Sequence, residues 1–460
     1  MGTAMKWRGL GEDPITEQRV ISSFDGGVQA LVGISKPDRY RYWDNSNSGT
    51  PTISRGAGLS LAAASFGENI ISVSHENFDR IIGFDLSEKI VEVESGIQLF
   101  TLFNFLARKG LFLPVQPGHG QITIGGCVAA DVHGKNHRRD GTFIEQVVSL
   151  KLYHPEYGII ELSRETNNDL FRLTCGGYGL TGHILSVKLR ASPIVSYEVV
   201  SAVQSFDTLE SGLARMVSRA STVDFIHSWH DFSLKGKRLG AGLLFESQFL
   251  TQSEYNVNQR FQDARTPREL KATGRFSGSR LLLNEISIRA LNAVYRKVNS
   301  FGNSSKRIQL ADAIFPIHKL QSYYYFLGNR GFHEYQVLLP SEVALDFLQQ
   351  LGEVAQYFGV IITLASAKSF EGKQDLLRFS GNGVCFAVNF LQNSRSNELL
   401  EWLDRNIVEY GGRPNIIKDS RLPREVVEAC YPDIDIFRTQ LKDFDRNRLF
   451  KSAMSMRLGL

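Results

Sequence analysis

The sequence predicts an α+β protein of two or three domains, and three observations carry that reading. The chain has 460 residues, against roughly 100–200 per domain. Its first 195 or so residues read as short strands, glycine turns and a few brief helices. Beyond them strands and helices come in runs, the pattern of an antiparallel sheet with helices laid on it, not of alternating βαβ units. Hydrophobic residues make up 42% and charged residues 22%, which is ordinary for a globular chain and excludes disorder. Lys plus Arg at 52 against Asp plus Glu at 48 leaves +4, too near balance to argue for nucleic-acid binding. Cys127, Cys175, Cys385 and Cys430 form no C-x-x-C pair, which excludes a disulfide scaffold or a cysteine zinc site and suits a reducing compartment. No apolar run reaches the ~18 residues of a membrane span. The first residues carry no signal-peptide core, and Lys6 stands where a myristoylation signal needs Ser or Thr. The expected location is cytoplasmic.

In chain order, residues 51–54 read as a strand running into a glycine loop. Residues 81–85 and 89–94 read as two strands with a turn between them. Leu99, Leu102, Phe103 and Leu106 recur at helical spacing and stop at Gly110, a helix within 97–109. Residues 111–115 form a strand ending at Pro117-Gly118. Strands at 147–153 and 159–163 flank a hairpin turn, 169–173 is a short helix, and 183–190 alternates as a strand. Ala191-Ser192-Pro193 marks a boundary. After it a helix is expected at 208–219 and strands at 224–232 and 241–249, then strands at 334–339 and 360–364 with helices at 341–357 and 397–410. Between 251 and 310 lie eleven Lys or Arg against four acids, a local +7 in a chain whose total is +4. Leu282, Leu283, Ile286, Ala290, Leu291 and Val294 fall there at helical spacing among Arg280, Arg289, Arg296 and Lys297, the pattern of an interfacial or a core-packed helix.

Glycine is the informative excess. It clusters at Arg55-Gly56-Ala57-Gly58-Leu59-Ser60, at Pro117-Gly118 through Gly125-Gly126, at Gly134, and at Gly176–Gly182. Gly177-Tyr178-Gly179-Leu180-Thr181-Gly182 fits G-x-G-x-x-G by spelling. A dinucleotide fingerprint, however, needs a strand before it and an acid about 20 residues on, and here a helix precedes. Four glycine turns in sequence point instead to backbone N–H groups cradling an anion such as a pyrophosphate. His133 and His137 stand four apart, but Gly134 weakens a helix and no Glu follows the first His, so no metal site is expected. His133, Lys135, His137, Arg138 and Arg139 read as a polar wall that receives an anion. Lys418-Asp419-Ser420-Arg421 follows the apolar pair Ile416-Ile417, which draws Lys418 toward the core.

The run Pro114-Val115-Gln116-Pro117-Gly118 and then Gln121-Ile122-Thr123-Ile124-Gly125-Gly126-Cys127-Val128-Ala129-Ala130-Asp131-Val132-His133-Gly134-Lys135-Asn136-His137 resembles the FAD-binding oxidoreductases of the vanillyl-alcohol-oxidase type. Within them it looks most like the branch that oxidises polyprenyl-phosphoryl ribose. Gly176–Gly182, Lys418–Arg421, Tyr431-Pro432 and residues 454–460 fit the same branch. The resemblance implies a two-subdomain PCMH-type FAD-binding domain at 1–195, a substrate domain with a central antiparallel sheet at 196–410, and a segment at 411–460 returning to the FAD domain. It implies cofactor contacts from Arg55, Gly56, Ala57, Gly58, Leu59, Ser60, Pro117, Gly118, Thr123, Gly125, Gly126, Cys127, Ala130, His133, Asn136, Gly179, Gly182, Ile184 and Lys418. Covalent relatives place a flavin-linking His where this chain has Leu59, so the resemblance implies non-covalent FAD. Lys418 and His133 become the candidate catalytic residues, with Lys418 as proton acceptor or as the cation beside the flavin. Lys135, Trp229, Gln336, Lys368 and Cys385 become candidate substrate contacts.

The chain departs from the branch at Leu59, Leu61, Ala62 and Ala63, where relatives carry Arg, Tyr, Gly and Asp. The function implied is FAD-dependent oxidation of the 2′-hydroxyl of a polyprenyl-phosphoryl-β-D-ribose, the first half of epimerisation to an arabinose donor for envelope polysaccharide. An NAD(P)H-dependent short-chain reductase would complete it, and the enzyme would touch the inner face of the membrane peripherally. A soluble sugar or aldonolactone oxidase is the alternative, and it needs no membrane-facing basic insert. A flavin-binding scaffold without chemistry is the third reading.

Overall fold

The computed structural model describes residues 16–44, 49–251, 283–300, 305–319, 323–324, 327 and 331–460. Four strands, β1 (Glu17–Ser22), β2 (Gln29–Ser35), β3 (Thr52–Arg55) and β4 (Ile71–Ser74), form a small sheet ordered β1-β2-β4-β3, antiparallel at β1/β2 and parallel elsewhere. A second, antiparallel sheet contains β5 (Ile81–Asp85), β6 (Ile90–Glu94), β8 (Val147–His154), β9 (Gly158–Ser163) and β10 (His183–Arg190), ordered β5-β6-β10-β8-β9. A two-residue ladder joins β7 (Leu111–Phe112) to β11 (Ser192–Pro193), so the strand expected at 111–115 is short. Helix α1 (Leu99–Ala107) buries Leu99, Leu102, Phe103 and Leu106 against this part of the chain. Helix α2 (Ile124–Ala129) runs through glycines that read as a turn in the sequence. Thr123 caps it, its Oγ1 accepting from Gly126 N–H at 3.3 Å, and the cap outweighs the poor helix propensity of glycine. Two short helices follow, α3 (His137–Asp140) and α4 (Asn168–Thr174).

The largest sheet has eight strands: β12 (Glu198–Phe206), β13 (Phe225–His230), β14 (Gly242–Phe249), β15 (Lys306–Gln309), β16 (Phe332–Leu339), β17 (Ile362–Phe370), β18 (Gly383–Leu391) and β19 (Arg413–Pro414). Their order is β15-β12-β14-β13-β17-β18-β16-β19, antiparallel throughout. Strand residues alternate between faces. Ile226, Leu244, Val337, Ala365, Ala367 and Val388 point to the face covered by α5 (Leu209–Arg219), α8 (Ser341–Phe358) and α9 (Ser394–Glu409), and together they make the largest core. Asn393 and Ser396 close a capping box at the start of α9. The opposite face of the sheet is left for a cavity.

Helix α6 (Glu285–Ser300) lies over β12 and β14 at one end of that cavity, and α7 (Leu310–Ile314) follows β15. Of the basic stretch at 251–310, residues 252–282 and 301–304 fall outside the described residues. The helix expected across 281–298 is observed at α6. Arg296 of that helix ion-pairs with buried Asp231 at 3.8 Å, which leaves Arg289 and Lys297 as its cations toward solvent. Among the described residues no helix is long and apolar enough to cross a membrane.

Candidate active site

Strand β3 delivers the chain into the loop Gly56–Ser60. Gly58 has φ +70°, a conformation that side chains rarely adopt, and Arg55 folds beneath the loop to donate Nη1 to Ser65 Oγ at 3.0 Å. The backbone N–H groups of Ala57, Gly58 and Leu59 make no hydrogen bond among the described residues, and all three residues line the cavity. Successive free donors in a glycine turn form an anion nest, the feature a pyrophosphate requires. The loop at Thr123–Gly126 works differently. Ile124 N–H donates to Ile97 O at 2.9 Å, and Gly125 N–H donates to Ser95 O at 2.7 Å. The expectation that each glycine turn offers free amides therefore holds at the first loop and fails at the second, where Gly125 passes Ser95 so closely that an added Cβ would lie 2.9 Å from the Ser95 Cβ.

The cavity measures ≈ 660 Å³ and runs from these loops to the open face of the eight-stranded sheet. Between the two stands the turn after α2. Asp131, buried with φ +40°, accepts from Thr142 Oγ1 and from Ile144 N–H, each at 2.8 Å. The Arg378 guanidinium lies 3.9 Å from the same carboxylate. That network fixes the turn presenting His133 and Lys135. His133 Nδ1 lies 3.2 Å from Gly134 O, and a carbonyl only accepts, so Nδ1 carries the hydrogen and Nε2 keeps its lone pair. Burial first, and Lys368 second, hold the His133 imidazole well below its usual range and therefore neutral. Burial likewise lowers Lys135 to about 7, helped by Lys368, while its Nζ donates to Ala313 O. His137 stacks on Phe370 of β17 with centroids 3.7 Å apart and 2° between planes, joining this wall to the sheet.

On the sheet, alternation brings one set of side chains to the cavity: Phe225, His227 and Trp229 from β13, Phe245 and Ser247 from β14, Glu334 and Gln336 from β16, Ser366 and Lys368 from β17, and Ala387 and Asn389 from β18. The Asn389 Nδ2 is buried without a hydrogen-bond partner. Beyond β19, Asn415 donates Nδ2 to Gln336 Oε1 at 2.6 Å and its N–H to Gln336 O at 2.8 Å. Those bonds hold the single turn Ile416–Lys418 against β16, where Lys418 Nζ meets Glu334 Oε1 at 2.9 Å.

Most residues expected from the sequence line this one cavity: Gly56 through Ser60, Pro117, Gly118, Thr123, Gly125, Gly126, Ala130, His133, Lys135, Gly179, Gly182, Ile184, Trp229, Gln336, Lys368 and Lys418. Four stand outside the lining. Arg55 braces its loop, Cys127 faces the core around α1, and Asn136 donates to Pro114 O at 2.9 Å and to Asp140 Oδ2 at 2.6 Å. Cys385 packs with Leu338, Phe370 and Phe379, where burial pushes its thiol up to about 12. Sequence reasoning missed Glu334, His227 and Asn389. The available signal was period two: Glu334 precedes Gln336 by two residues, as His227 precedes Trp229. Among the described residues no group of three or more His, Cys, Asp or Glu could hold a metal ion.

Residues 44–163 match the family model of an FAD binding domain. The chain is similar to the decaprenylphosphoryl-β-D-ribose oxidase of Mycolicibacterium smegmatis, 28% identical over 419 residues that cover 90% of each chain. It is similar to an uncharacterised protein of Streptomyces coelicolor at 24% identity, across 79% of this chain and 100% of that one. A shorter match of 112 residues, 37% identical, links it to a mitochondrial L-galactono-1,4-lactone dehydrogenase of Oryza sativa, over 24% of this chain and 19% of that one. The anion nest at Ala57–Leu59 and the long cavity fit FAD, and the chain is an FAD-dependent oxidoreductase built on an FAD binding domain and an antiparallel α+β partner sheet.

Proposed function

We propose that the protein oxidises the 2′-hydroxyl of a polyprenyl-phosphoryl-β-D-ribose to the 2′-keto sugar, the first half of an epimerisation that an NAD(P)H-dependent short-chain reductase completes. The observation that carries this reading is the basic end of the cavity. Lys135 and Lys368 face it with no ion-pair partner among the described residues, an arrangement suited to a phosphate and of no use to a neutral lactone. The likeness to the mycobacterial oxidase supports the same substrate class.

Bound FAD supplies the acceptor for a hydride from the sugar C–H. The chain's own groups do the rest. Neutral His133 is suited to take the hydroxyl proton at Nε2, since its Nδ1–H is committed to Gly134 O. Lys418, held by Glu334, is the preorganised cation at the flavin end. Gln336, positioned by Asn415, is a polar contact for the sugar. The N–H groups of Ala57–Leu59 receive the cofactor pyrophosphate, and Leu59 leaves the flavin non-covalent. The proposed domain limits remain 1–195, 196–410 and 411–460.

Helix α6 supports a lipid-linked substrate held at the inner face of a membrane. Tyr295 and Asn299 line the cavity from it. Leu291, Val294 and Val298 are 57%, 60% and 64% exposed in a stripe along one edge of that face, and Ile286 (83%), Arg289 and Lys297 are exposed elsewhere on the helix. An apolar stripe with cations on the same helix suits an anionic lipid surface.

The test is anaerobic mixing of the purified enzyme with a polyprenyl-phosphoryl ribose and, separately, with aldonolactones. Bleaching of the yellow flavin by the phosphoryl ribose alone is the expected result. Bleaching by the lactones alone would move the protein to the soluble sugar oxidases.

A further inference from the structure

His227 occupies the middle of β13, between Phe225 and Trp229 on the face that lines the cavity. No motif pointed to it. Strand β13 pairs with β17 through Ser228 opposite Ala367 and Trp229 opposite Ser366. One further step of that antiparallel register sets His227 opposite Lys368, and directly opposed side chains on one face stand about 5 Å apart at Cβ. On its other side His227 is opposite Phe245 of β14, and the rings stack with centroids 4.9 Å apart and 12° between planes. Its neighbour Ile226 donates its N–H to Lys135 O at 3.2 Å, so the loop carrying Lys135 is stitched to β13 beside this position. Three basic side chains from three separated stretches of sequence thus converge.

Neither ring nitrogen of His227 is hydrogen-bonded among the described residues. Other charged groups line the same cavity. Glu334 and Lys418 pair with each other on β16 and the turn beside it, and in the sheet order β17 and β18 separate β16 from β13, about 14 Å at the usual strand spacing. Lys306 and Asp312 line the end under α6 with Tyr295, Asp312 standing next to Ala313, whose O accepts from Lys135 Nζ; Asp131, paired with Arg378, and His133 stand on the turn after α2. Burial, Lys135 and Lys368 together hold the free imidazole well below its usual range. An arriving anion reverses the balance, because the proton then enters a site whose net charge the ligand has lowered.

We propose that His227 completes, with Lys135 and Lys368, a subsite for the phosphodiester group of a lipid-linked substrate, and that it takes up a proton from solvent as the anion binds. The inference rests on the substrate reading given above and adds its recognition element. A stacked, hydrogen-bond-free imidazole costs little while the cavity is empty, and it becomes a charged donor only for a ligand bearing negative charge. His227 is in this sense a specificity residue, acting on binding and not on hydride transfer.

The experiment is calorimetric titration of the FAD-loaded enzyme with farnesyl phosphate at pH 8, in buffers of different ionisation enthalpy, which counts protons taken up. Wild type is expected to take up more protons than His227→Gln and His227→Phe, and both variants are expected to bind roughly tenfold more weakly. The Phe variant keeps the stack on Phe245, so a loss shared by both variants is chemical and not a packing defect. Equal proton uptake by wild type and either folded variant overturns the proposal. Should neither variant fold, farnesyl phosphate binding to the Lys135→Met enzyme at pH 8 with no proton taken up overturns it. Inorganic phosphate binding as tightly as farnesyl phosphate would make this a free-phosphate site and overturn the lipid-linked assignment. Failure of the flavin to bleach with polyprenyl-phosphoryl ribose, with proton-linked farnesyl phosphate binding intact, would instead remove the sugar reading and leave the subsite standing.

Discussion

At its cofactor end the cavity is walled by backbone and by glycine, alanine and serine; at its sheet end it is walled by long side chains drawn from separate strands of one sheet. In the function proposed above, the first wall recognises by shape and by unspent N–H groups, so its residues are contiguous and small. The second recognises by charge, so its residues sit two apart within a strand and far apart along the chain. The same cavity therefore has one end whose substitutions change fit and another whose substitutions change electrostatics.

The comparison breaks most sharply at Lys418, the charged group assigned to the flavin end. Lys418→Ala should keep FAD bound, because Ala57–Leu59 still hold the pyrophosphate, and should lower the rate of flavin reduction by substrate by about 10²–10³ in stopped flow. Loss of FAD instead would make Lys418 part of the first wall. A second effect concerns the outer side of α6. Replacing Arg289 and Lys297 by Gln removes two cations worth about 1 kcal/mol each at an anionic surface, so liposome partitioning should fall roughly 30-fold, and wild-type binding should fade as salt rises. Unchanged sedimentation would confine recognition to the cavity.

The third sharpening is a pH profile. Lys135 in the free enzyme loses its proton near pH 7, far below an ordinary lysine, chiefly through burial. An anionic substrate needs the charged form and restores the proton, so KM should rise by up to about tenfold per unit as pH climbs above 7. Below 6.5 the lysine's share should vanish and leave only the slope that His227 contributes, and Lys135→Met should remove the lysine's share above it. The smallest effect belongs to Glu334. Glu334→Gln removes the carboxylate beside Lys418, leaves more positive charge near the flavin, and should raise the flavin midpoint potential by on the order of 30 mV in a dye-equilibration titration. No measurable shift would put the pair on the side of the cavity away from the flavin.

The unequal legibility of the two ends follows from the same contrast. Gly56–Ser60 and Gly125-Gly126 are visible as runs, since a backbone wall needs adjacent small residues, and the α1 face at Leu99, Leu102, Phe103 and Leu106 is visible by its spacing. The sequence does not reveal which amides are spent: Gly125 gives its N–H to Ser95 while Gly58 keeps its own, and only tertiary contacts decide that. The sheet end was legible through resemblance at Gln336 and Lys368, yet His227 and Glu334 went unnoticed because cross-strand register is a long-range property. Cys385 shows the converse. It shares the strand parity of Ala387 and Asn389, but Phe370 and Phe379 cover it, so parity alone overstates what reaches the cavity.

The stack of His137 on Phe370 has a consequence for how the cofactor comes and goes. Together with Arg378 beside Asp131, Arg172 Nε on Asp375 at 3.1 Å and the Tyr178 hydroxyl donating to Leu377 O at 3.0 Å, it clasps the wall carrying His133 to the sheet carrying Lys368. A molecule gripped by both walls exchanges at the pace at which such a clasp parts. Flavin residence time then becomes a matter of an opening barrier and not of contact strength. Dilution should strip the enzyme slowly even where equilibrium favours release, reloading of flavin-free protein should be equally sluggish, and loosening this one seam should hasten both without moving the equilibrium between them.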